Sequence, residues 1–151
     1  MTTDPRKPIT ILLADDDEDD VLLAREALEE SRLSNDLRCV ADGAALLDYL
    51  HRRGDYADAP RPGLILLDLN MPRVDGHEAL RLIKAEPQFR RIPVVILTTS
   101  QAEEDIYRTY DLGASSFISK PVTFEGLVRV MRDLGRYWFE IVELPPDEGA
   151  G

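Results

Sequence analysis

Short, unbroken apolar runs alternate along this chain with longer stretches in which apolar residues recur every three or four positions. Leu64, Ile65, Leu66 and Leu67 form one such run, bounded by Gly63 before it and by Pro72 and Gly76 after it. A run this short and this uniformly branched predicts a strand buried on both faces, as in parallel sheets covered by helices. Residues 9–14 and 94–97 repeat the pattern, and residues 37–40 and 116–119 are shorter versions of it. After the first run, Val21, Leu22, Ala24, Ala27 and Leu28 keep helical spacing behind an acidic entry that suits the positive end of a helix dipole. Further helices are predicted at 44–50, with Leu46, Leu47 and Leu50 facing inward, around Ala79, Leu80 and Ile83, and at about 102–112, where Gly113 stops the helix. A last helix follows Pro121, with Phe124, Leu127, Val128, Met131, Leu134 and Trp138 as its core stripe. Residues 51–62, rich in Arg, Asp, Gly and Pro, read as a surface loop, long for such a connection.

Five strands alternating with five helices imply an α/β fold, a doubly wound (βα)5 three-layer sandwich around a parallel sheet. The flavodoxin-like strand order 2-1-3-4-5 fits best. Its switch point lies between the first and third strands, and ligands of open sheets bind outside the carboxyl ends of the strands. The residues just after the strands are therefore the ones to read for chemistry. They are Asp15, Asp16 and Asp17 after the first, Asp68 after the third, Thr98, Thr99 and Ser100 after the fourth, and Lys120 with Pro121 after the fifth.

The bulk properties narrow the function. With 151 residues, 44% of them hydrophobic, the chain reads as one domain, with residues 1–8 as an N-terminal tail, 9–144 as the domain with its extended final helix, and 145–151 as a disordered tail. A net charge of −11 argues against direct contact with nucleic acid, which needs clustered Lys and Arg. Cys39 is the single cysteine, no signal-type segment opens the chain, and no apolar run approaches the roughly 20 residues of a membrane span. The expectation is a cytoplasmic protein with no membrane contact.

Three carboxylates, Asp15, Asp16 and Asp68, gathered at one sheet edge repel one another, and the usual remedies are a raised pKa or a bound cation. Oxygen donors of this kind, few in number and completed by water, suit Mg²⁺ better than Ca²⁺. An aspartate beside such an ion can act as a nucleophile and form an acyl phosphate, because the metal shields the incoming phosphoryl group from the surrounding negative charge. A hydroxyl to meet a phosphoryl oxygen and a cation to neutralise added charge complete the set. Thr98 and Lys120 supply them.

Taken in order, these features resemble the receiver domains of two-component response regulators over nearly the whole chain. The resemblance identifies Asp15 and Asp16 with the family's metal-binding pair, Asp68 with its phosphoacceptor, Thr98 with its switch hydroxyl, Lys120 and Pro121 with its Lys-Pro turn, and Phe117 with its aromatic switch position. It implies that Asp16, Asp68 and the backbone carbonyl of Asn70 bind Mg²⁺ directly, while Asp15 acts mostly through water. A finer similarity, to single-domain regulators associated with phytochromes, rests on the long loop before Leu64 and on the tail that begins Tyr137, Trp138, Phe139. It implies a sensor histidine kinase of bacteriophytochrome type as phosphoryl donor.

Each residue also has a plainer reading. Asp19 and Asp20 read as solvated helix-capping residues, and Asp68 with Asn70 as an ordinary turn. Thr98 can begin a helix with Thr99, Ser100 and Glu103, and a lysine such as Lys120 is usually a surface residue, though a cis bond to Pro121 would sharpen its turn inward. His51 and His77 lack partners at ligand spacing, and Cys39 reads as a small buried apolar residue. The stretch after Pro121 leaves little room for an effector domain, so output is expected through contact with an unknown downstream protein or through phosphorelay. Val130, Tyr137 and Leu144, spaced by sevens, together with Ile141, mark a second apolar face for an isologous homodimer. The rival readings are a phosphorylation-independent adaptor of the same fold and an aspartate-dependent phosphohydrolase. The latter pattern wants a second Asp where Asn70 stands.

Overall fold

Strand and helix alternate strictly in the order β1 (Thr10–Ala14), α1 (Glu18–Glu30), β2 (Asp36–Val40), α2 (Gly43–His51), β3 (Leu64–Leu67), α3 (Gly76–Ala85), β4 (Val94–Thr98), α4 (Glu103–Asp111), β5 (Ser116–Ser119) and α5 (Phe124–Gly135). The computed structural model describes residues 10–30, 36–69, 71, 73–98, 103–121 and 123–135. All four strand pairings are parallel and the order is β2-β1-β3-β4-β5, the doubly wound arrangement expected from the pattern. Among the described residues no helix is long and apolar enough to cross a membrane.

The unbroken apolar runs are explained by two cores, one on each face of the sheet. Successive strand residues point to opposite faces. Leu12, Ala14, Ile65, Leu67, Val94 and Ile96 pack with Leu46, Tyr49 and Leu50 of α2 and Ala79, Leu80 and Ile83 of α3. Their neighbours Ile11, Leu13, Leu64, Leu66, Val95 and Leu97 pack with Ala24, Ala27 and Leu28 of α1 and Leu127, Val128, Met131 and Leu134 of α5. Full burial of each such side chain contributes about 1.5–3 kcal/mol, so neither face can be polar. The edge strands β2 and β5 are only half-buried and mix apolar with polar residues.

Several expected core positions lie outside it. Leu22 is 54% exposed because it lies on the side of α1 away from Ala24, Ala27 and Leu28, and Phe124, the first residue of α5, is 39% exposed although it continues the line of Leu127 and Val128. Cys39 is half-buried on edge strand β2, its Sγ 3.5 Å from the guanidinium of Arg25. His51 lies edge-on to Phe89, with ring centroids 4.9 Å apart. The long loop after α2 contains a 3₁₀ turn, Gly54–Tyr56, and is tied down where the Tyr49 hydroxyl donates to the Pro60 carbonyl at 2.8 Å.

Helix starts are set by aspartates. Asp42 and Asp75 cap α2 and α3 by accepting from the N–H groups of Ala45 and Glu78 at 2.7 and 2.9 Å. At α1 the capping carboxylate is that of Asp17, which accepts from the N–H of Asp19 at 2.9 Å and of Asp20 at 3.3 Å. The capping role read for Asp19 and Asp20 thus belongs to Asp17. The reading of Thr99 and Ser100 as caps lies outside the described residues.

Candidate phosphoryl-acceptor site

Sheet register brings the site together. β1 and β3 end with Ala14 opposite Leu67, so Asp15 and Asp68 leave the sheet side by side. The ladder continues one rung past the strands: the N–H of Asp68 donates to the Ala14 carbonyl and that of Asp15 to the Val40 carbonyl, both at 3.0 Å. On the other side β4 and β5 end with Thr98 opposite Ser119, and the N–H of Lys120 donates to the Thr98 carbonyl at 2.8 Å. Four residues far apart in sequence are thereby fixed at the backbone before any side chain acts.

The turn after β3 is held by close packing of α3. Gly76 lies so near that a Cβ there would stand 2.5 Å from the Asp68 carbonyl oxygen and 2.6 Å from the Leu69 Cα. Only glycine permits that approach. Its N–H donates to the Leu69 carbonyl at 3.0 Å, tying the first turn of α3 to the segment that carries Asp68.

Asp68 is buried and held at both oxygens. Thr98, fully buried, donates its hydroxyl to Oδ1 at 2.8 Å, and the Lys120 ammonium donates to Oδ2 at 3.1 Å. Lys120 also donates to Asp15 Oδ2 at 2.6 Å and to Asp20 Oδ2 at 2.8 Å. Asp15 Oδ1 accepts from the N–H of Asp17 at 3.0 Å, which orients the buried carboxylate. Burial pushes the Asp15 carboxyl above its ordinary value of 3.8, against the bonds it accepts from Lys120 and Asp17. Burial by itself would lower the pKa of the Lys120 ammonium. Its hydrogen bonds to Asp15 and Asp20 and the charges of Asp15 and Asp68 outweigh that and hold it above an ordinary lysine.

Carboxylate oxygens of Asp15, Asp16 and Asp68 all lie within 4.8 Å of one another, Asp16 being exposed and the other two buried. An all-oxygen donor set that converges this closely and keeps one open side fits a hard, partly hydrated divalent ion. Asn70, expected to add its carbonyl, lies outside the described residues, as do Tyr137, Ile141 and Leu144 of the expected dimer face. Val130, the described member of that face, is half-buried against the α1 and α5 core. Phe117 is half-buried against the opposite core, and its N–H donates to the Tyr110 hydroxyl at 3.2 Å. The turn into Lys120 needs no cis bond, for none occurs among the described residues.

Asp20 is the site residue that the sequence reading missed. It stands in the first turn of α1, and its ion pair with Lys120 spans 100 positions. Within the run from Asp15 to Asp20 every residue is acidic, so nothing local marks out the one that reaches back over the sheet edge. A cavity of about 60 Å³ between α1 and α5 opens beside this pair, lined by Asp15, Asp20, Lys120, Leu23, Pro121 and Phe124 among others.

Known proteins resemble this chain in sequence and in fold. Response regulator Rcp1 of Synechocystis sp. is 39% identical over 145 residues, an overlap that takes in 96% of this chain and 99% of that protein. A phosphorylated cyanobacterial phytochrome response regulator, RcpA, superposes with a TM-score of 0.87 at 39% identity, covering 93% of this chain and 100% of that one. The Mn²⁺-bound form of Rcp1 superposes with a TM-score of 0.85 at 40% identity, covering 92% of this chain and 100% of that one. None of these carries an enzyme's name. The family model of the response regulator receiver domain matches residues 11–132, a span that contains every strand-end residue of the site but none of the tail. With that match over most of its length, the chain belongs to the response regulator receiver family.

Proposed function

We propose that the chain is a single-domain response regulator that takes a phosphoryl group from the phosphohistidine of a sensor kinase onto Asp68. The observation that carries this is the grip on Asp68: a buried carboxylate with a hydroxyl donor on one oxygen and an ammonium on the other. The carboxylate attacks phosphorus, the bond from phosphorus to the histidine nitrogen breaks, and an acyl phosphate forms on Asp68. Asp15, Asp16 and Asp68 would hold Mg²⁺, with the Asn70 carbonyl as a further ligand; the ion supplies charge neutralisation for the phosphoryl oxygens. Lys120 balances the remaining negative charge. Thr98 exchanges its bond to the carboxylate for one to a phosphoryl oxygen, and that displacement lets Phe117 and the surface beside it repack. Covalent chemistry is limited to the protein's own phosphorylation and dephosphorylation.

The kinase is of phytochrome type, a reading supported by the phytochrome response regulator among the structures above. A cytoplasmic location belongs to the same reading. Output runs through a phosphorylation-dependent protein contact or a phosphorelay, with a homodimer formed through Val130, Tyr137, Ile141 and Leu144. Sedimentation at high micromolar concentration, with and without a phosphoryl mimic, tests the dimer; a monomer in both would remove it.

The acceptor is tested by a phosphate-affinity gel of wild type and Asp68→Asn after acetyl phosphate or kinase, each with Mg²⁺ and with chelator. A retarded band for wild type with Mg²⁺ alone is the expected result. A folded wild-type protein that stays unshifted with both donors would refute the assignment.

A further inference from the structure

We propose that Asp20 is a positioning residue of this site: it anchors the Lys120 ammonium when a divalent cation draws on the carboxylates of Asp68, directly, and Asp15, through water. The inference rests on the phosphoacceptor reading of Asp68. An ammonium has three N–H donors, and Lys120 uses them on three carboxylates, Asp15, Asp20 and Asp68. Two of the three belong to the group whose oxygens converge within 4.8 Å as a cation site. A carboxylate oxygen engaged by a divalent ion is a weaker acceptor, and the ion's charge repels the ammonium. The bond to Asp20 alone owes nothing to the cation site.

Asp20 is also built to hold still. It belongs to the first turn of α1, whose start is fixed by the Asp17 carboxylate and whose inner face, Ala24, Ala27 and Leu28, shares a core with Leu127, Val128 and Met131 of α5. Its carboxylate is partly solvated, with 36% of the side chain exposed, while the Lys120 side chain beneath it is 11% exposed. A carboxylate fixed to a helix and outside the cation cluster suits a lasting anchor for a flexible four-carbon side chain. With Asp20 in place, loading the cation frees two N–H groups of Lys120 at the spot where phosphoryl oxygens arrive. Without it, the loaded site leaves the ammonium only carboxylates that the cation also engages, and Lys120 is held less firmly when the phosphoryl group arrives.

The first readout needs no phosphorylation. In ¹H–¹⁵N spectra of lysine ammonium groups, slow proton exchange marks an anchored Lys120. The signal is expected in wild type with chelator and with saturating Mg²⁺, in Asp20→Asn with chelator only, and in Asp20→Glu under both conditions. At saturating Mg²⁺ the acetyl phosphate reaction of Asp20→Asn should slow by about tenfold, within the range that misplacing a reacting group costs, and Asp20→Glu should recover most of it. An Asp20→Asn protein that keeps its Lys120 signal with Mg²⁺, or that is phosphorylated as fast as wild type or faster, overturns the proposal; the faster case would make Asp20 a competitor for Lys120. If no variant is phosphorylated, Asp68 loses its role, while the ammonium spectra still decide the role of Asp20.

Discussion

Lys120→Met removes a single positive charge from among three carboxylates, and its cost can be bounded from the structure. The side chains of Asp15 and Asp68 are 2% and 8% exposed, and their contacts to Lys120 measure 2.6 and 3.1 Å. Stripping one partner from a buried ion pair costs about 3–5 kcal/mol, chiefly through the charge left behind. Protonation sets a ceiling, because a stranded carboxylate can always take up a proton. At pH 7 that costs about 1.4 kcal/mol for each pH unit above the ordinary aspartate value of 3.8, or about 4.5 kcal/mol per carboxylate. The expected loss in chelator is therefore about 3–4 kcal/mol, with a fall in Tm of about 10 °C. Saturating Mg²⁺ should narrow the gap to about 1 kcal/mol, since the cation replaces the missing charge and binds the folded state alone.

The pH dependence carries a definite sign. The folded pKa of Lys120 is raised, so its contribution is complete below the unfolded value of 10.5 and is lost only as pH climbs through the folded value. Between about pH 8 and 10 the difference between wild type and variant should thus be constant. As pH falls toward the carboxylate range, the Asp15 carboxyl of folded Lys120→Met, raised by burial and no longer opposed by Lys120, binds a proton before the unfolded chain does, so the variant gains stability and the gap closes. Urea unfolding followed by circular dichroism, in chelator and in Mg²⁺ at several pH values, measures all of this. A loss under 1 kcal/mol in chelator, or a gap that Mg²⁺ leaves unchanged, would refute the reasoning.

Other expectations test separate parts of the structure. Thr98→Ala removes the hydroxyl that donates to Asp68 Oδ1 and should cost about 1–2 kcal/mol in urea unfolding. It should still accept phosphate on an affinity gel yet lose the gain in partner affinity; an unchanged affinity of the phosphorylated form would break the proposed coupling. Gly76→Ala drives a methyl into the backbone of Asp68 and Leu69, so it should cost more than about 2 kcal/mol and slow phosphorylation as well, measured by melting and by gel. Lys84→Ala is the contrasting case. It gives up bonds from Nζ to the carbonyls of Arg90 and Ile92, at 3.0 and 2.8 Å, at the opposite edge of the sheet, and should cost about 1–2 kcal/mol with no change in phosphorylation rate.

By itself, the sequence determined the fold and most of the site. Leu64 to Leu67 can satisfy both faces only inside a covered parallel sheet, and such a sheet gathers the residues just beyond its strands at a single edge. Asp15, Asp68, Thr98 and Lys120 were therefore legible from local pattern and topology. Packing decided what pattern could not. Leu22 fits a helical spacing but faces away from the sheet, a rotation set by how α1 packs, and Phe124 stays exposed at the first position of α5 though it continues the buried stripe. Asp20 sits in an acidic run where each neighbour looks like the next, and its selection came from the arrival of Lys120 from 100 residues away. Three buried or half-buried carboxylates need a counter-charge. Which of them obtain it depends on distances of about 3 Å that only the closed tertiary structure sets.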